Sequence, residues 1–258
     1  MRILLTNDDG IHAPGLMTAK KTLDALGEVF VVAPERQRSA AGHAITLHKP
    51  LRLTETTLSD GTTGHACSGT PTDCATLGLE IVMENRCDVV VSGINSGANL
   101  GWDLTYSGTV SAALEGAILG FPSFAISLVL ENGGSTPPDY TIAAEFAAQL
   151  AAKIVQSHLP KHSILNVNLP NRERHKIQAV AITHQGRREY VDRIITREDP
   201  YGRPYYWLGG SLREDVPDPG SDVHAILGDC ISITPIQLDM TARDQMSTLR
   251  DWKLKVSP

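Results

Sequence analysis

Basic charge is in short supply in this sequence. Its 258 residues carry 23 Lys and Arg against 29 Asp and Glu, a formal net charge of −6, and the sequence pI is near 5.8. General affinity for nucleic acid backbones needs a basic surface, so the charge argues against partners of that class. The deficit does not exclude a small phosphorylated ligand, because a local metal ion reverses the field inside one pocket. Cysteine is scarce as well. Cys67, Cys74, Cys87 and Cys230 form no CxxC pair and meet no His cluster at zinc spacing, which argues against a structural zinc site. Buried free thiols in a reducing compartment are the expectation. No run approaches the ~20 apolar residues needed to cross a bilayer. The apolar stretch behind Met1 is too short for a signal peptide and runs straight into acids. A cytoplasmic protein without a membrane partner is expected. Walker A, GxGxxG and GxSxG patterns are missing too, which removes the P-loop and dinucleotide fingerprints and weakens a serine hydrolase.

What is there is an ordinary globular composition, 41% hydrophobic and 20% charged, in a length that suits one large α/β domain. Short β-branched runs alternate with helical patterns, the signature of a mostly parallel sheet with crossover helices. Ile3-Leu4-Leu5, Val29 to Val32, Asp88 to Ser92, Ser123 to Leu128, Ile164 to Asn168 and Cys230 to Thr234 read as strands. Helices are predicted from Pro14, with Gly27 as the stop, and from about Thr109 to Leu119, Ala143 to Gln156 and Thr241 to Leu254. Another is predicted from Thr70 to about Asn85, with Thr70 as N-cap, Pro71 at the first position and Asp73 at the third. Glu131 to Pro138 is predicted as a loop. From about His184 to Asp222 the chain turns polar and rich in Arg, Gly and Pro, around a strand-like Tyr205 to Leu208. So long an excursion from a compact domain is either functional or a contact with another subunit. The expected organisation is one domain over 1–258: a core over 1–183, a protruding excursion over 184–222, and a final strand and helix over 223–258.

Candidate chemistry lies where polar residues follow strands. Asn7-Asp8-Asp9 follows the first strand, Ser39 the second, and Asn95 the strand that ends at Ser92. In an open parallel sheet the loops at the carboxyl ends of strands gather into one crevice. Two carboxylates, a hydroxyl and an amide oxygen form a hard-oxygen set suited to Mg²⁺, Mn²⁺ or Ca²⁺, with several waters retained. Neighbouring residues of a regular strand point to opposite faces, so Asp8 and Asp9 reach one ion only if the strand breaks, which Gly10 permits. Asn-Asp-Asp-Gly on its own is good turn sequence; Ser39 and Asn95 favour the metal.

A second element is Tyr106-Ser107-Gly108-Thr109-Val110. Two hydroxyls around a glycine at a helix start offer donors beside the positive end of the helix dipole, a ready phosphate site, although Ser and Thr are also ordinary caps there. The preceding loop, residues 92–101, holds three glycines and two asparagines and can approach a ligand closely. His43 could donate a proton or touch phosphate, or cap a surface turn, and His12 reads the same way with less weight. Arg187, Arg188 and Arg193 could bind anions, but a solvated face suits them better.

These stretches together resemble the SurE (survival protein E) family of metal-dependent nucleotide phosphatases. They are residues 1–16 (MRILLTNDDGIHAPGL), 32–43 (VAPERQRSAAGH), 69–74 (GTPTDC), 91–101 (VSGINSGANLG), 106–116 (YSGTVSAALEG), 199–208 (DPYGRPYYWL) and 220–235 (GSDVHAILGDCISITP). The resemblance implies a Rossmann-like α/β core and a C-terminal hairpin and helix that exchange between subunits of a homodimer or homotetramer. It implies one divalent ion per subunit on Asp8, Asp9, Ser39 and Asn95, with Asp8 and Asp9 catalytic. Phosphate or substrate contacts are implied for Asn7, Gly42, His43, Asn99, Ser107, Gly108 and Thr109. The loop after Ser39 departs from the family pattern, with Ala40 where many relatives have Gly and His43 where Asn is common.

The implied activity is hydrolysis of nucleoside 5′-monophosphates, and of 3′-monophosphates, to nucleoside and phosphate by metal-activated water. Two alternatives stand beside it. One uses an Asp as the nucleophile and passes through a phospho-aspartyl enzyme. The other is a metal-dependent nucleotide-binding or regulatory protein without turnover. Short-chain polyphosphate is a further candidate substrate.

Overall fold

In the computed structural model, residues 1–130, 137–157, 159–191, 194–212 and 218–256 are described. Arg193 and residues 131–136 of the expected loop lie outside them. The first half of the chain is β1 (Arg2–Thr6), α1 (Pro14–Leu23), β2 (Glu28–Pro34), β3 (Leu53–Thr57), β4 (Thr63–Cys67), α2 (Pro71–Leu77), β5 (Val89–Ser96) and α3 (Gly108–Ile118). It continues through β6 (Ser123–Val129), α4 (Thr141–Ser157), β7 (Ser163–Pro170), β8 (Val180–Ile182), β9 (Tyr190–Val191), β10 (Ile194–Glu198) and β11 (Pro204–Leu208). Last come β12 (Ser211–Leu212), α5 (Asp222–Leu227), β13 (Ile231–Gln237) and α6 (Gln245–Asp251).

One sheet of nine strands runs in the order β3-β4-β2-β1-β5-β6-β7-β13-β8. From β4 to β7 every neighbouring pair is parallel; β3 and β13 enter antiparallel at either side. Because successive side chains alternate faces, Ile3 and Leu5 of β1 join the core under α1 and α4, while Leu4 joins Val32, Val90 and Leu79 under α2. The result is an αβα sandwich, with both faces of the central strands buried, as parallel sheets require. Chain order reverses at β1: β2 lies on one side of it and β5 on the other. Such a reversal opens the crevice in which ligands of these folds sit.

Local signals placed several elements well. The helix at Thr70 carries a full capping box, Thr70 accepting from the Asp73 amide and Asp73 from the Thr70 amide. That helix is shorter than predicted. It ends at Leu77 and continues as one π-type turn over Gly78–Val82. Gly27 is not the stop of α1, whose cap is Asp24; it sits where a Cβ would come within 2.0 Å of the Met1 carbonyl oxygen. β5 runs past Ser92 to Ser96, with its register shifted between Ser92 and Asn95, so Asn95 sits on the end of the strand and not in a loop. The edge hairpin β3–β4 escaped the sequence reading, since neither strand alternates cleanly. β13, after the excursion, returns to the middle of the sheet edge between β7 and β8. The four cysteines are free.

The excursion carries an antiparallel hairpin, β10–β11, that pairs Ile194 with Leu208 and Ile195 with Trp207. Every residue of both strands is exposed, and so is every residue of α6. Among the described residues no helix is long and apolar enough to cross a membrane.

Candidate metal and phosphate site

β1 ends at Thr6, and the chain turns at once. Asn7 closes the turn with both ends of its side chain: Nδ2 donates to the Gly10 carbonyl, and Oδ1 accepts from the Gly10 amide, each at 3.1 Å. Gly10 has φ 106, a left-handed value that costs glycine nothing. The turn breaks the strand alternation and presents Asp8 and Asp9 together.

Three further segments are tied to that turn. The Arg38 amide donates to the Asp8 carbonyl at 2.7 Å, which seats Ser39 beside it. Gln37 Nε2 donates to Ser39 Oγ at 2.9 Å and reaches Asp9 Oδ1 at 3.5 Å. The Ser96 amide donates to Asp9 Oδ2 at 3.0 Å, next to Asn95. Asn95 spends its Nδ2 on the Gly97 carbonyl at 3.0 Å. The segments that carry Asp8, Asp9, Ser39 and Asn95, far apart in sequence, are thus tied to one another.

The start of α3 approaches the same point from the other side. Ser107 caps the helix, its Oγ accepting from the Val110 amide at 3.1 Å. Thr109 Oγ1 donates to Asp8 Oδ1 at 2.6 Å. The contact depends on Gly108, where a Cβ would stand 2.8 Å from Asp8 Cβ and 2.9 Å from Pro71 Cγ. The Gly108 amide, at the first helical position, has no carbonyl to reach within its own helix and points out of the helix end.

Both carboxylates are pushed up from their ordinary range. Burial is the largest cause for Asp8, which rises to about 6; the Thr109 hydroxyl opposes this and the Asp9 charge adds to it. Asp9 is raised by burial, against the pull of the Ser96 amide. Among the described residues neither forms an ion pair with a Lys, Arg or His. Two acids side by side without a paired cation, Asp8 buried and Asp9 half-buried, repel each other in a way that a divalent ion would relieve, and the oxygen donors suit a hard one. No group of three His, Cys, Asp or Glu side chains converges among the described residues. A cation here would therefore rest on two carboxylates, neutral oxygens and water.

The other expected contacts divide. Gly42 donates its amide to the Tyr106 carbonyl at 3.0 Å, which presses the 40–43 loop against the start of α3. His43 Nε2 lies 2.9 Å from Glu115 Oε2, and Thr76 holds the second Glu115 oxygen. Asn99 is buried in an amide cluster: its backbone pairs with Asn166 and Asn168, and its Nδ2 donates to Ser127 Oγ. Asn7 and Asn99 thus brace the loops that carry the site. His12 is exposed. Arg188 pairs with Asp103 at 2.7 Å, and Arg187 stands over the Trp102 ring, so neither is merely solvated.

The model of the family described as "Survival protein SurE" matches residues 3–192. The chain belongs to the SurE family. Curated relatives named "5′-nucleotidase SurE" are similar over nearly its whole length. That of Geobacter sulfurreducens is 48% identical over 254 residues, covering 98% of this chain and 94% of the relative. That of Herpetosiphon aurantiacus is 48% identical over 249 residues, covering 96% and 97%. The crystal structure of SurE from Aquifex aeolicus superposes with a TM-score of 0.85 at 37% identity, covering 98% of this chain and 100% of that one.

The sequence reading of this SurE chain missed several residues that complete the site. Gln37 bridges Asp9 and Ser39, and no motif marks it. Glu115 orients His43 from two turns along α3. Asp222 was missed although a signal existed: an acid directly after Ser221 at a helix start. Its carboxylate takes the amides of Gly101 and Gly186 and pins the glycine-rich loop to the excursion. Asn166 and Asn168, polar residues alternating in an otherwise apolar strand, were a second readable signal.

Proposed function

We propose that this chain hydrolyses nucleoside 5′-monophosphates to nucleoside and phosphate with the help of one divalent cation, Mg²⁺ or Mn²⁺, with Ca²⁺ fitting the same donors. One observation carries the reading: two adjacent carboxylates with raised pKa values, Asp8 buried and Asp9 half-buried, face the N-terminus of a helix across a gap that only a glycine leaves open. Asp8, Asp9, Ser39 and Asn95 hold the cation. The cation supplies charge that polarises a phosphoryl oxygen and makes water a better nucleophile at neutral pH. Thr109 fixes Asp8 in place, and Gln37 with the Ser96 amide fixes Asp9. The Gly108 amide and the α3 dipole receive the phosphoryl oxygens, and Ser107 keeps that end of the helix in shape. His43 is held through Nε2 by Glu115 of α3.

Phosphate release from AMP, GMP, CMP, UMP, a 3′-nucleotide and short polyphosphate, each with Mg²⁺, Mn²⁺, Ca²⁺ or EDTA, tests the reading. Asp8→Ala and Asp9→Ala should each abolish metal-dependent release, and full activity in both would sink the proposal. A phospho-aspartyl species trapped by acid quench would transfer the nucleophile's role to an Asp. Tight stoichiometric binding without release in any metal would make the chain a nucleotide binder.

The reading extends to assembly as a homodimer or homotetramer. The hairpin leaves Trp207 64% and Leu208 88% exposed, and an isolated two-stranded hairpin is marginal in water. Met246, Leu249 and Trp252 of α6 and its extension are also in solvent. Apolar surface concentrated on two protruding elements fits a subunit interface. Light scattering at micromolar concentration tests this, and a monomer would refute it. The free thiols fit a reducing compartment such as the cytoplasm.

A further inference from the structure

Directly before Ser107 the chain makes one 3-10 segment, Gly101–Tyr106. It carries two large aromatic side chains that the fold leaves in solvent, Trp102 at 48% and Tyr106 at 59% exposure. Opposite runs the first part of the excursion. Trp102, Asp103 and Tyr106 on one side, with Arg188, Glu189 and Tyr190 on the other, line a cavity of about 320 Å³. That volume is at the low end for small-molecule sites.

The walls are built. Asp103 Oδ2 accepts from Arg188 Nη1 at 2.7 Å and from the Tyr190 hydroxyl at 2.5 Å. Gln185 Nε2 donates to the Gly101 carbonyl at 2.9 Å. The buried Asp222 carboxylate binds the Gly101 amide with one oxygen and the Gly186 amide with the other. Arg187 stands 5.8 Å above the Trp102 ring. These ties fix the two sides relative to each other, yet the core takes in neither Trp102 nor Tyr106. Two aromatic rings held on a rigid turn, one residue from a phosphate-binding helix start, have the form of a stacking platform.

We propose that this cavity receives the nucleobase of the substrate, which stacks on Trp102 and Tyr106 while its phosphate sits at Ser107 to Thr109. The inference rests on the phosphatase reading above and adds the part of the substrate that reading leaves unassigned. Stacking accepts every base, because each has a π-face, and it favours the larger purine rings. Arg188, held through Nη1 by Asp103, lines the same cavity beside the two rings. One stacked base corresponds to roughly 5- to 150-fold in affinity.

The test compares AMP with ribose 5-phosphate, which carries the same phosphate and no base. In Trp102→Ala and Tyr106→Ala the ratio of kcat/KM for AMP to that for ribose 5-phosphate should fall at least fivefold, mostly through KM. Trp102→Phe should restore most of it. A ratio within twofold of wild type in both alanine variants overturns the proposal. So does an equal loss on both substrates, which marks a distorted site. Binding gives a second readout that needs no turnover. AMP should quench tryptophan fluorescence in the full-length protein, ribose 5-phosphate should not, and Trp102→Phe should abolish the quench although Trp207 and Trp252 remain. If wild type releases phosphate from neither substrate with Mg²⁺ or Mn²⁺, the phosphatase reading fails, and the quench still decides the base site.

Discussion

Replacing Asp8 by Asn should destroy activity and make the metal-free protein more stable. Asp8 is 5% exposed, and its pKa rises from the ordinary 3.8 to about 6, chiefly through burial. A carboxyl that holds its proton more tightly when folded favours the folded state while protonated. As pH climbs from 3.8 toward 6 the unfolded chain binds fewer protons than the native one, so stability falls across that window and stays low above it. The gap is a little over two pH units, and at 1.36 kcal/mol for each it amounts to about 3 kcal/mol. The amide oxygen of Asn can still accept from Thr109 Oγ1, so the variant removes the charge and keeps that hydrogen bond. For a chain of this size about 3 kcal/mol corresponds to roughly 6–12 °C in Tm, which is the ceiling of the effect. Differential scanning calorimetry in EDTA measures it. At pH 7.5 Asp8→Asn should melt above wild type by several degrees, and at pH 4 the two should nearly coincide. Millimolar Mn²⁺ should raise the wild-type Tm and leave the variant unmoved. A variant that melts at or below wild type at pH 7.5 in EDTA would refute the reasoning, because the carboxylate would then be satisfied by Thr109 alone. An equal gain at both pH values would refute it too, since charge would not be the cause.

Protons and the cation compete for Asp8, so apparent metal affinity, read by titration calorimetry, should weaken by up to about tenfold per pH unit below about pH 6. Thr109→Val removes a bond that holds Asp8 down, and should move that onset to higher pH; an unmoved onset would deny Thr109 the role. Gly108→Ala would place a methyl 2.8 Å from Asp8 Cβ. It should cut kcat on the order of 100-fold, with KM for AMP as the companion readout, because displacements of about 1 Å cost that much; wild-type kinetics would show that the site is looser than its contacts imply. Ala40 sits at φ 55 in the loop that delivers Ser39, a region that costs a residue with a Cβ about 1 kcal/mol. Ala40→Gly should therefore leave stability within about 1 kcal/mol of wild type or raise it, as urea denaturation would report, and a loss beyond that would contradict the strain.

Local chemistry made much of this fold legible. Apolar β-branched runs located the central strands, Thr70-Pro71-Thr72-Asp73 spelled a capping box, and Ser107 marked a helix start. Each signal acts within a few residues, through backbone preference or a cap, and so survives in the sequence alone. The β3–β4 hairpin and the π-type turn after Leu77 did not, because packing against neighbours and not propensity selects them. At the site the sequence determined which donors exist: two adjacent carboxylates, Ser39, Asn95, and a glycine between two hydroxyls. It did not determine which of them would meet. Only the strand order, with β1 between β2 and β5, brings loops from opposite sides of the first strand together. Thr109, expected beside phosphate, spends its hydroxyl on Asp8; Asn7 and Asn99 spend their side chains on loops. The raised pKa of Asp8 belongs to tertiary structure for the same reason. Burial and a neighbouring charge are properties of a place in the folded molecule, and no stretch of sequence carries them before the chain has closed around it.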